Sequence, residues 1–254
     1  MKIYLGDFTA FKYFIEALKV VNEEQTLTVT EDGISAATMD PSHVAMIMAK
    51  MKKTESFKLE DFSEEKKEIT LALNVSELMK VLDRIDKVET VELNYNEETA
   101  RFLVKATRAG QDRRFSLPVM EPMIEELPTP KIKFTNNARI TSEALNQALK
   151  DASLMSEHVK LEGQGEEMSV KAAGDTGDFH VKWDKISDKL LKFKSTENAT
   201  STYTLSYLSS IVGTAKKEAE VFEISWTEDM PIEIKVECNK VGIELMYYLA
   251  PCIG

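Results

Sequence analysis

The fold class of the chain is decided by residues 26–39, TLTVTEDGISAATM. Apolar and polar side chains alternate on both sides of Asp32-Gly33, and this period of two is typical of a strand with one buried face. An Asp-Gly pair between two alternating runs is a strong hairpin signal. The segment therefore predicts a strand over 26–30, a turn over 31–33 and a returning strand over 34–39.

The same alternation continues in both directions from this hairpin. Residues 1–6 already alternate, and further strands are predicted at 43–51, 68–73, 88–95, 100–107, 113–119, 131–140, 158–163, 167–173, 179–183, 189–193, 221–226, 231–237 and 241–248. Strands of this length at this spacing indicate extended antiparallel sheet.

Four segments carry apolar residues at helical spacing instead. The predicted helices cover 8–21, 75–85 with Asn74 or Ser76 as a possible cap, a segment that starts after Thr141 or Ser142 and reaches Ala152, and 205–217. The first helices of the two halves start near residues 8 and 142, and the second near 75 and 205. Both offsets are close to about 130 residues, which predicts a tandem duplication of one fold and not a short-period repeat.

A proline-rich segment separates the two halves. Four of the seven prolines fall within 118–130, and a chain with so many prolines cannot join a strand ladder at several positions. We therefore expect one domain over 1–117, a connector over 118–131 and a second domain over 132–254. The connector also carries Met120, Met123, Ile124 and Leu127, which either fasten it to the sheet beneath or form part of a docking surface.

Composition excludes several classes of protein. The chain has 254 residues with 43% hydrophobic and 30% charged residues, the balance of a globular protein. It shows no long apolar run that would span a membrane and no secretory signal, and Cys238 and Cys252 are expected to be reduced thiols in an intracellular protein. The net charge of −11 argues against a general basic coat for nucleic acid but not against a local basic surface.

The sequence offers no convincing catalytic constellation. Asp175-Thr176-Gly177 matches the tripeptide of aspartic proteases, which need two carboxylates that share a proton. Asp and Gly are also ordinary turn residues between strands, and the first half has no second copy at the matching position. His43, His158 and His180 lack the spacing of metal ligands. We expect no catalytic residue, no metal and no cofactor; the alternative is an acid hydrolase that uses Asp175.

The remaining indication of function comes from basic residues on the polar faces of the helices. Basic residues occur there at Lys12, Lys19, Lys80, Arg84, Lys150, Lys216 and Lys217, with Glu16, Asn146 and Gln147 nearby. Basic residues near a helix C-terminus are also favoured by the helix dipole, so each residue taken singly is compatible with a solvated face. Taken together in an acidic protein, they suggest one surface that faces a polyanion.

Two separated motifs resemble one known family. Residues 39–44, MDPSHV, resemble the MDxSHV signature of the sliding clamp called proliferating cell nuclear antigen, and residues 247–253, YYLAPCI, resemble its YYLAPKI ending. Glu16-Ala17-Leu18-Lys19 and Asp229-Met230-Pro231 also fit the family, and the resemblance covers the whole chain in register. Cys252 replaces a usually basic residue, Asp83 and Gln147 occupy positions that are often basic, and the short ending is more similar to archaeal than to eukaryotic members.

The resemblance implies an α+β DNA-clamp fold: two tandem similar domains, each with antiparallel sheets and two helices, that assemble into a pseudo-sixfold ring of three subunits. It implies a non-enzymatic processivity factor that encircles double-stranded DNA without reading its sequence. The implied partners are DNA polymerase, clamp loader, flap endonuclease and DNA ligase, with no membrane association. Either three copies form a homotrimer or the chain is one subunit of a heterotrimeric clamp. The implied location is the cytoplasm of an archaeal cell, or the nucleus if the source is eukaryotic.

The resemblance also assigns roles to residues of this chain. A pocket for a partner peptide would be formed by Met39, His43, Val44, Ala45, Met46, Leu127, Pro128, Pro231, Tyr248, Ala250, Pro251 and Ile253. For Val44, Met46 and Leu127, ordinary core packing remains the alternative. The DNA-facing residues would be Lys12, Lys19, Lys80, Arg84, Lys150, Lys216 and Lys217. Subunits would join through the edge strands 112–117 and 178–183, with Arg113, Arg114 and Phe115 on one strand and Asp178, Phe179 and Trp183 on the other.

Overall fold

The computed structural model describes residues 2–5, 8–55, 57–60, 68–86, 90–122, 127, 129–175 and 177–252. The chain forms two compact units. Unit 1 consists of Met1–Thr38, Ile47–Leu127 and Cys238–Glu244, and unit 2 of Met39–Met46, Pro128–Glu237 and Leu245–Gly254. Each unit therefore takes a short segment from the other half of the sequence, and the linear boundaries 1–117 and 132–254 stay a prediction.

Four helices and eighteen strands occur in the described ranges. Their order is β1 (Lys2–Leu5), α1 (Phe8–Lys19), β2 (Glu24–Thr30), β3 (Gly33–Met39), β4 (Ala45–Lys52), β5 (Phe57–Glu60), β6 (Glu68–Asn74), α2 (Val75–Leu82), β7 (Thr90–Asn96), β8 (Arg101–Arg108), β9 (Gln111–Pro118), β10 (Asn136–Thr141), α3 (Ser142–Ala152), β11 (His158–Gln164), β12 (Glu167–Gly174), β13 (Gly177–Trp183), β14 (Leu190–Ser195), β15 (Ala199–Thr204), α4 (Leu205–Ala215), β16 (Val221–Trp226), β17 (Ile232–Cys238) and β18 (Ile243–Leu249). None of the described helices is long and apolar enough to cross a membrane.

The hairpin predicted at 26–39 is present as β2 and β3. Leu27 pairs with Ala36 and Thr30 with Gly33 in an antiparallel ladder. Gly33 has φ +145°, and a Cβ there would lie 2.0 Å from the carbonyl oxygen of Met51. Only glycine combines this backbone conformation with so close an approach, so the turn tolerates no side chain at this position.

Unit 1 contains a five-stranded sheet, a second ladder that includes β2, β3 and β6, and the helices α1 and α2. The sheet order is β5-β1-β7-β8-β9, and β9 lies at one edge. The inward residues of these strands include Ile3, Leu93 and Val104, all of which are buried. Helix α1 packs beside α2, and Asn74 caps α2 by accepting a hydrogen bond from the backbone N–H of Glu77 at 2.9 Å. The buried residues of each helix lie on its apolar face, and the polar residues lie on the opposite face.

Unit 2 repeats this arrangement. Its four-stranded sheet has the order β13-β12-β11-β15, with β13 at one edge, and α3 packs beside α4. A second ladder joins β14, β10, β16 and β17. A Cβ on Gly163 would lie 2.0 Å from Oδ1 of Asn136, so these two parts of the unit come into contact only because residue 163 has no side chain. The tandem duplication expected from the sequence is thus present in the fold.

Several predicted boundaries are wrong in detail. Strands β5 and β15 lack a prediction, and the strand expected over 131–140 begins only at Asn136. Helix α2 ends at Leu82, so Arg84 follows the helix instead of lying on it. Of the connector's apolar residues, Met120 donates a backbone hydrogen bond to the carbonyl of Ala72 at 2.9 Å, which fastens this part of the segment to β6. Met123 and Ile124 lie outside the described residues.

Candidate functional site

The first candidate site is the loop between β3 and β4, which is organised around one carboxylate. The side chain of Asp40 is buried, and its Oδ1 accepts hydrogen bonds from the backbone N–H groups of Val44 at 2.7 Å and Ala45 at 2.6 Å. Its Oδ2 accepts from the backbone N–H of Ser42 at 3.1 Å and from the hydroxyl of Tyr207 at 3.0 Å. The carboxylate thereby satisfies three backbone donors of a single tight loop.

These bonds also determine the charge state of Asp40. Burial by itself raises the pKa of this carboxyl, but the N–H of Ala45, the hydroxyl of Tyr207 and the other N–H groups of the loop outweigh that effect and hold the pKa of Asp40 below its usual value. Donors that point at a carboxylate favour its charged form. The loop therefore forms around an anion at neutral pH.

The backbone of His43 is held in a conformation that non-glycine residues rarely adopt. Its φ is +56°, while its N–H donates to the carbonyl of Asp40 at 2.9 Å and its side chain is exposed. A left-handed residue other than glycine costs about 1–2 kcal/mol. The loop thus places an imidazole on the surface at a cost that the bonds to Asp40 offset.

The C-terminal segment is fastened beside this loop within unit 2. The N–H of Ala250 donates to the carbonyl of Val44 at 2.8 Å, and the N–H of Cys252 donates to the carbonyl of Thr202 at 2.7 Å. Pro251 lies between these two anchors and is half-buried. Loop 40–45 and the segment 250–252 therefore lie side by side, with Val44, Ala250 and Pro251 half-buried and His43 exposed.

A buried acid lies next to the predicted pocket residue Tyr248. The hydroxyl of Tyr248 donates to Oε2 of Glu233 at 2.6 Å, and Nζ of Lys235 lies 2.9 Å from Oε1 of Glu233. Burial and the adjacent Glu233 carboxylate raise the pKa of Tyr248 far above its usual value. Sequence reasoning did not single out Glu233, because an acidic residue between apolar ones in an alternating strand is expected to face solvent.

The predicted pocket residues differ in how far their side chains are exposed. Met39, Val44, Pro231, Ala250 and Pro251 are half-buried and His43 is exposed, so all six present surface within unit 2. Ala45, Met46 and Tyr248 are buried, so their side chains belong to the interior. Leu127 is half-buried and belongs to unit 1. Pro128 and Ile253 lie outside the described residues.

The predicted DNA-facing cations fall into two groups. Three have carboxylate partners: Lys12 with Asp83 at 2.8 Å, Lys80 with Glu77 at 2.6 Å and Lys216 with Glu143 at 3.1 Å. In the part of the chain that the structure describes, Lys19, Arg84 and Lys150 have no ion pair, and all three are exposed along with Lys217. The expectation that Asn146 lies on the polar face is wrong, because its side chain is buried.

Helix α4 differs from the other helices in its surface chemistry. None of its residues from Leu205 to Ala215 is charged, and its exposed positions include Ser206 and Ser210. Its cations, Lys216 and Lys217, lie at and just beyond its C-terminus. This helix presents hydroxyl groups in its body and positive charge only at one end.

The two strands predicted to join subunits both lie at sheet edges. Strand β9 forms one edge of the five-stranded sheet and β13 one edge of the four-stranded sheet. Arg113 and Phe115 are half-buried on the inner face of β9, whereas Arg114 is exposed on the outer face. Adjacent residues of a strand point to opposite faces, so the two arginines lie on different faces of β9.

On β13 the same alternation separates the interface candidates. Asp178 is exposed on the outer face, Phe179 is half-buried on the inner face and Trp183 is buried. Trp183 therefore contributes to the core of unit 2. Asp178 and Phe179 border an open cavity of about 590 Å³ that is also lined by His158 and His180.

Asp175 lies in the turn that joins β12 to β13 and is exposed. Thr176 lies outside the described residues, and Gly177 has φ +150°. An aspartic protease needs a second carboxylate close enough to share a proton. An exposed Asp beside a glycine turn instead fits the ordinary role of these residues in hairpins. No group of three or more His, Cys, Asp or Glu in the described ranges could hold a metal ion.

Comparisons with known proteins agree with this fold over the whole chain. The family model described as proliferating cell nuclear antigen, N-terminal domain, matches residues 1–126, and the model for the C-terminal domain matches residues 129–252. A relative from Pyrobaculum aerophilum, named DNA polymerase sliding clamp 1, is 31% identical over 96% of this chain and 95% of its own length. The DNA polymerase sliding clamp of Pyrococcus abyssi is 32% identical over 95% of this chain and 94% of its own length.

Solved structures match the fold equally well. The crystal structure of PCNA from Thermococcus kodakaraensis has a TM-score of 0.86 with 22% identity and covers 99% of both chains. A PCNA2-PCNA3 complex from Sulfolobus tokodaii has a TM-score of 0.83 with 21% identity, again over 99% of both chains. Two tandem domain matches, full-length relatives above 30% identity and the duplicated fold lead to one conclusion: the chain belongs to the proliferating cell nuclear antigen family.

Proposed function

We propose that this chain is a subunit of a DNA sliding clamp, a ring without catalytic activity of its own that holds replication proteins on duplex DNA. The observation that carries the proposal is the match of both clamp domains in tandem, over 1–126 and 129–252. Relatives named DNA polymerase sliding clamp, aligned over 95% or more of this chain, support it. Association with DNA would be topological, so it requires neither a cofactor nor a metal.

The helix cations are the proposed contacts to DNA. Lys19, Arg84, Lys150 and Lys217 are exposed, and a lysine or arginine near a phosphate oxygen gives attraction without reading the base sequence. The carboxylate partners of Lys12, Lys80 and Lys216 reduce the charge available to DNA. A ring that must slide needs contacts that exchange readily, and helices that carry few exposed cations, together with the hydroxyls of α4, fit that requirement.

The surface formed by loop 40–45 and segment 250–252 is the proposed site for partner peptides. Met39, His43, Val44, Pro231, Ala250 and Pro251 would contact the peptide, with Leu127, Pro128 and Ile253 from the connector and the C-terminus completing the pocket. Extended peptides commonly bind such surfaces through backbone hydrogen bonds together with a few apolar anchors. DNA polymerase, clamp loader, flap endonuclease and DNA ligase are the proposed sources of these peptides.

Three subunits are proposed to close the ring through the free edges of β9 and β13. Pairing of these edges would remove two exposed strand edges from every subunit. Arg114 and Asp178, exposed on the outer faces of their strands, are the proposed charged contact, and Phe115 and Phe179 the apolar one. A heterotrimeric ring with related chains is the alternative, and the PCNA2-PCNA3 complex from Sulfolobus tokodaii is an observation in its favour.

We also propose that residues 118–131 form the connector between the two domains. The archaeal origin of the relatives from Pyrobaculum and Pyrococcus supports a location in the cytoplasm of an archaeal cell; if the source is eukaryotic, the nucleus is the expected location.

Two measurements test the proposal. A homotrimer of a 28.7 kDa chain predicts a mass of about 86 kDa by light scattering at micromolar concentration. Once loaded on a nicked circular plasmid, the ring should stay bound through a high-salt wash and be released when the plasmid is cut open. Retention on the circle and on the linear plasmid to the same extent would contradict topological binding. A mass near that of one chain would direct the search to related subunits.

A further inference from the structure

Four elements of unit 2 are joined by hydrogen bonds into a closed circuit. The circuit runs from Asp40 in the loop to Tyr207 at the start of α4, and through the same loop from Val44 to Ala250. It returns from Cys252 to Thr202 on β15, the strand that leads directly into α4. Loop, C-terminal segment, strand and helix therefore hold one another in place.

Asp40 is the centre of this circuit. A buried carboxylate is costly unless several donors satisfy it, and here three backbone N–H groups and one hydroxyl do so. The three N–H groups belong to the loop itself, so they move with it. The hydroxyl of Tyr207 is the donor to Asp40 that comes from another secondary-structure element.

Tyr207 lies on a well-anchored element. It follows Leu205 and precedes Leu208, both of which are buried, and the N–H of Leu205 donates to the carbonyl of Glu157 at 2.9 Å. The ring of Tyr207 is half-buried, and burial together with the Asp40 carboxylate raises the pKa of its hydroxyl, which keeps the donor proton in place. The loop's own backbone hydrogen bonds determine only its internal shape. A donor on a rigid helix can also fix the position of the loop.

The loop requires such support because of His43. Its φ of +56° is unfavourable, so a loop without an external anchor would relax toward other conformations. In such conformations the carbonyl of Val44 would no longer be aligned to accept the N–H of Ala250, and the loop and the C-terminal segment would no longer be held side by side.

We propose that Tyr207 and Asp40 are positioning residues for partner binding: the hydroxyl of Tyr207 holds the Asp40-centred loop in the conformation that accepts a partner peptide. The inference rests on the proposed function, because it takes the surface of loop 40–45 and segment 250–252 as the peptide site. Neither side chain need touch the peptide. Loss of the hydroxyl lowers the fraction of molecules with a competent loop, and the apparent affinity falls by the same fraction.

The test compares Tyr207→Phe with wild type in binding a short fluorescein-labelled peptide that carries one aliphatic and one aromatic anchor. We expect binding about fivefold to tenfold weaker, the scale of one lost hydrogen bond of ordinary strength, with unchanged oligomeric mass and circular dichroism. Hydrogen exchange provides the readout that a general loss of stability would not give: the amides of Ser42, Val44 and Ala45 should exchange faster, while those of β11 and β12 should not. Tyr95→Phe, the same change on β7 in unit 1, is the matched control.

The outcomes separate the two proposals. If wild type itself does not bind the peptide, the proposed peptide site is wrong. If wild type binds and Tyr207→Phe binds equally well, or if the loop amides exchange at the wild-type rate, the positioning role is overturned. Should Tyr207→Phe lose its fold, Asp40→Asn provides the second variant, since its amide oxygen still accepts from Val44 and Ala45. For Asp40→Asn we expect weaker peptide binding and faster exchange of the loop amides, and wild-type values of both would overturn the inference. Where Tyr207→Phe keeps its fold, the two substitutions should show strong coupling in a double-mutant cycle, and additive effects on peptide affinity would overturn the inference.

Discussion

Nζ of Lys12 on helix α1 lies 2.8 Å from Oδ1 of Asp83, the C-cap residue of helix α2. Lys12 is one of the residues proposed to face DNA. Asp83 occupies a position that is often basic in the proliferating cell nuclear antigen family. Asp83 is exposed and Lys12 is half-buried, so the pair adds little to stability. Its larger effect is on charge: it neutralises a cation within unit 1 that would otherwise be available to phosphate.

Replacement of Asp83 by Asn should strengthen the association with DNA. The change removes one negative charge and frees Lys12, so a plot of log affinity against log salt should become steeper by about one contact. Fluorescence anisotropy with a labelled duplex across a salt series measures this slope. Asp188→Asn removes the same charge from an exposed loop pair with Lys189 in unit 2. Equal effects of the two substitutions would mean that net charge alone, and not release of Lys12, controls binding.

Loss of Lys150 should have the opposite effect. Lys150 is exposed in the last turn of α3 and has no ion pair among the described residues, so its full charge is available to a phosphate. Lys150→Ala should weaken binding severalfold at low salt and reduce the salt slope by about 0.9, independent of DNA sequence. Lys192→Ala on the edge strand β14 is the control, since it removes the same charge from an exposed strand position. A sequence-dependent loss would contradict a contact to the DNA backbone.

The peptide site predicts a double substitution with a selective effect. Leu127→Ala together with Pro251→Ala removes apolar surface from the connector and from the C-terminal segment, and peptide binding should be lost. Because both side chains are only half-buried, assembly and thermal stability should change little. Calorimetric titration with the peptide and light scattering measure the two properties. Leu191→Ala, which truncates a leucine that is 53% exposed on β14, should bind peptide normally, and unchanged binding in the double variant would show that the peptide site lies elsewhere.

The stability contribution of Asp40 should depend on pH. The loop N–H groups and Tyr207 hold the pKa of Asp40 below its usual value, so the unfolded chain binds a proton more readily than the folded one. The contribution is therefore complete above the unfolded value of about 3.9 and is lost as pH falls through the lower folded value. At pH 7, Asp40→Asn should cost about 1–3 kcal/mol, and thermal unfolding at pH 7, 5 and 3 should show the difference from wild type shrinking at the lowest pH. A difference that is constant across this range would contradict the role assigned to the carboxylate.

Most of the fold could be predicted from the sequence because its helices and hairpins depend on local residue patterns. The Asp-Gly hairpin and the four apolar helix stripes depend on residues close together in the chain, so period and turn chemistry suffice. Strand β15, Ala199–Thr204, has no prediction because its inward residues are Ala199, Ser201 and Tyr203. Two of these three are small, and they give almost no apolar alternation.

The parts of the site that could not be predicted depend on contacts between distant residues. Glu233 is buried because Tyr248 donates to it and Lys235 pairs with it, and no local pattern names the tyrosine. The bond from Tyr207 to Asp40 joins residues 167 positions apart. By contrast, the opposite faces of Arg113 and Arg114 are a direct consequence of strand alternation, so the order of residues in the chain is enough to predict them.

Arg114 on the outer face of β9 provides the test of ring closure. If β9 of one subunit pairs with β13 of the next, Arg114 comes near the exposed Asp178, and Arg114→Glu places two negative charges across the joint. Like charges across paired strands are destabilising, so the mass by light scattering should fall from about 86 kDa toward the 28.7 kDa of one chain. Arg101→Glu makes the same exchange at an exposed position on β8, one strand in from the edge, and should leave the trimer intact. Addition of Asp178→Arg to Arg114→Glu should restore the trimer. Trimers of Arg114→Glu at micromolar concentration would mean that β9 is not the edge that joins subunits.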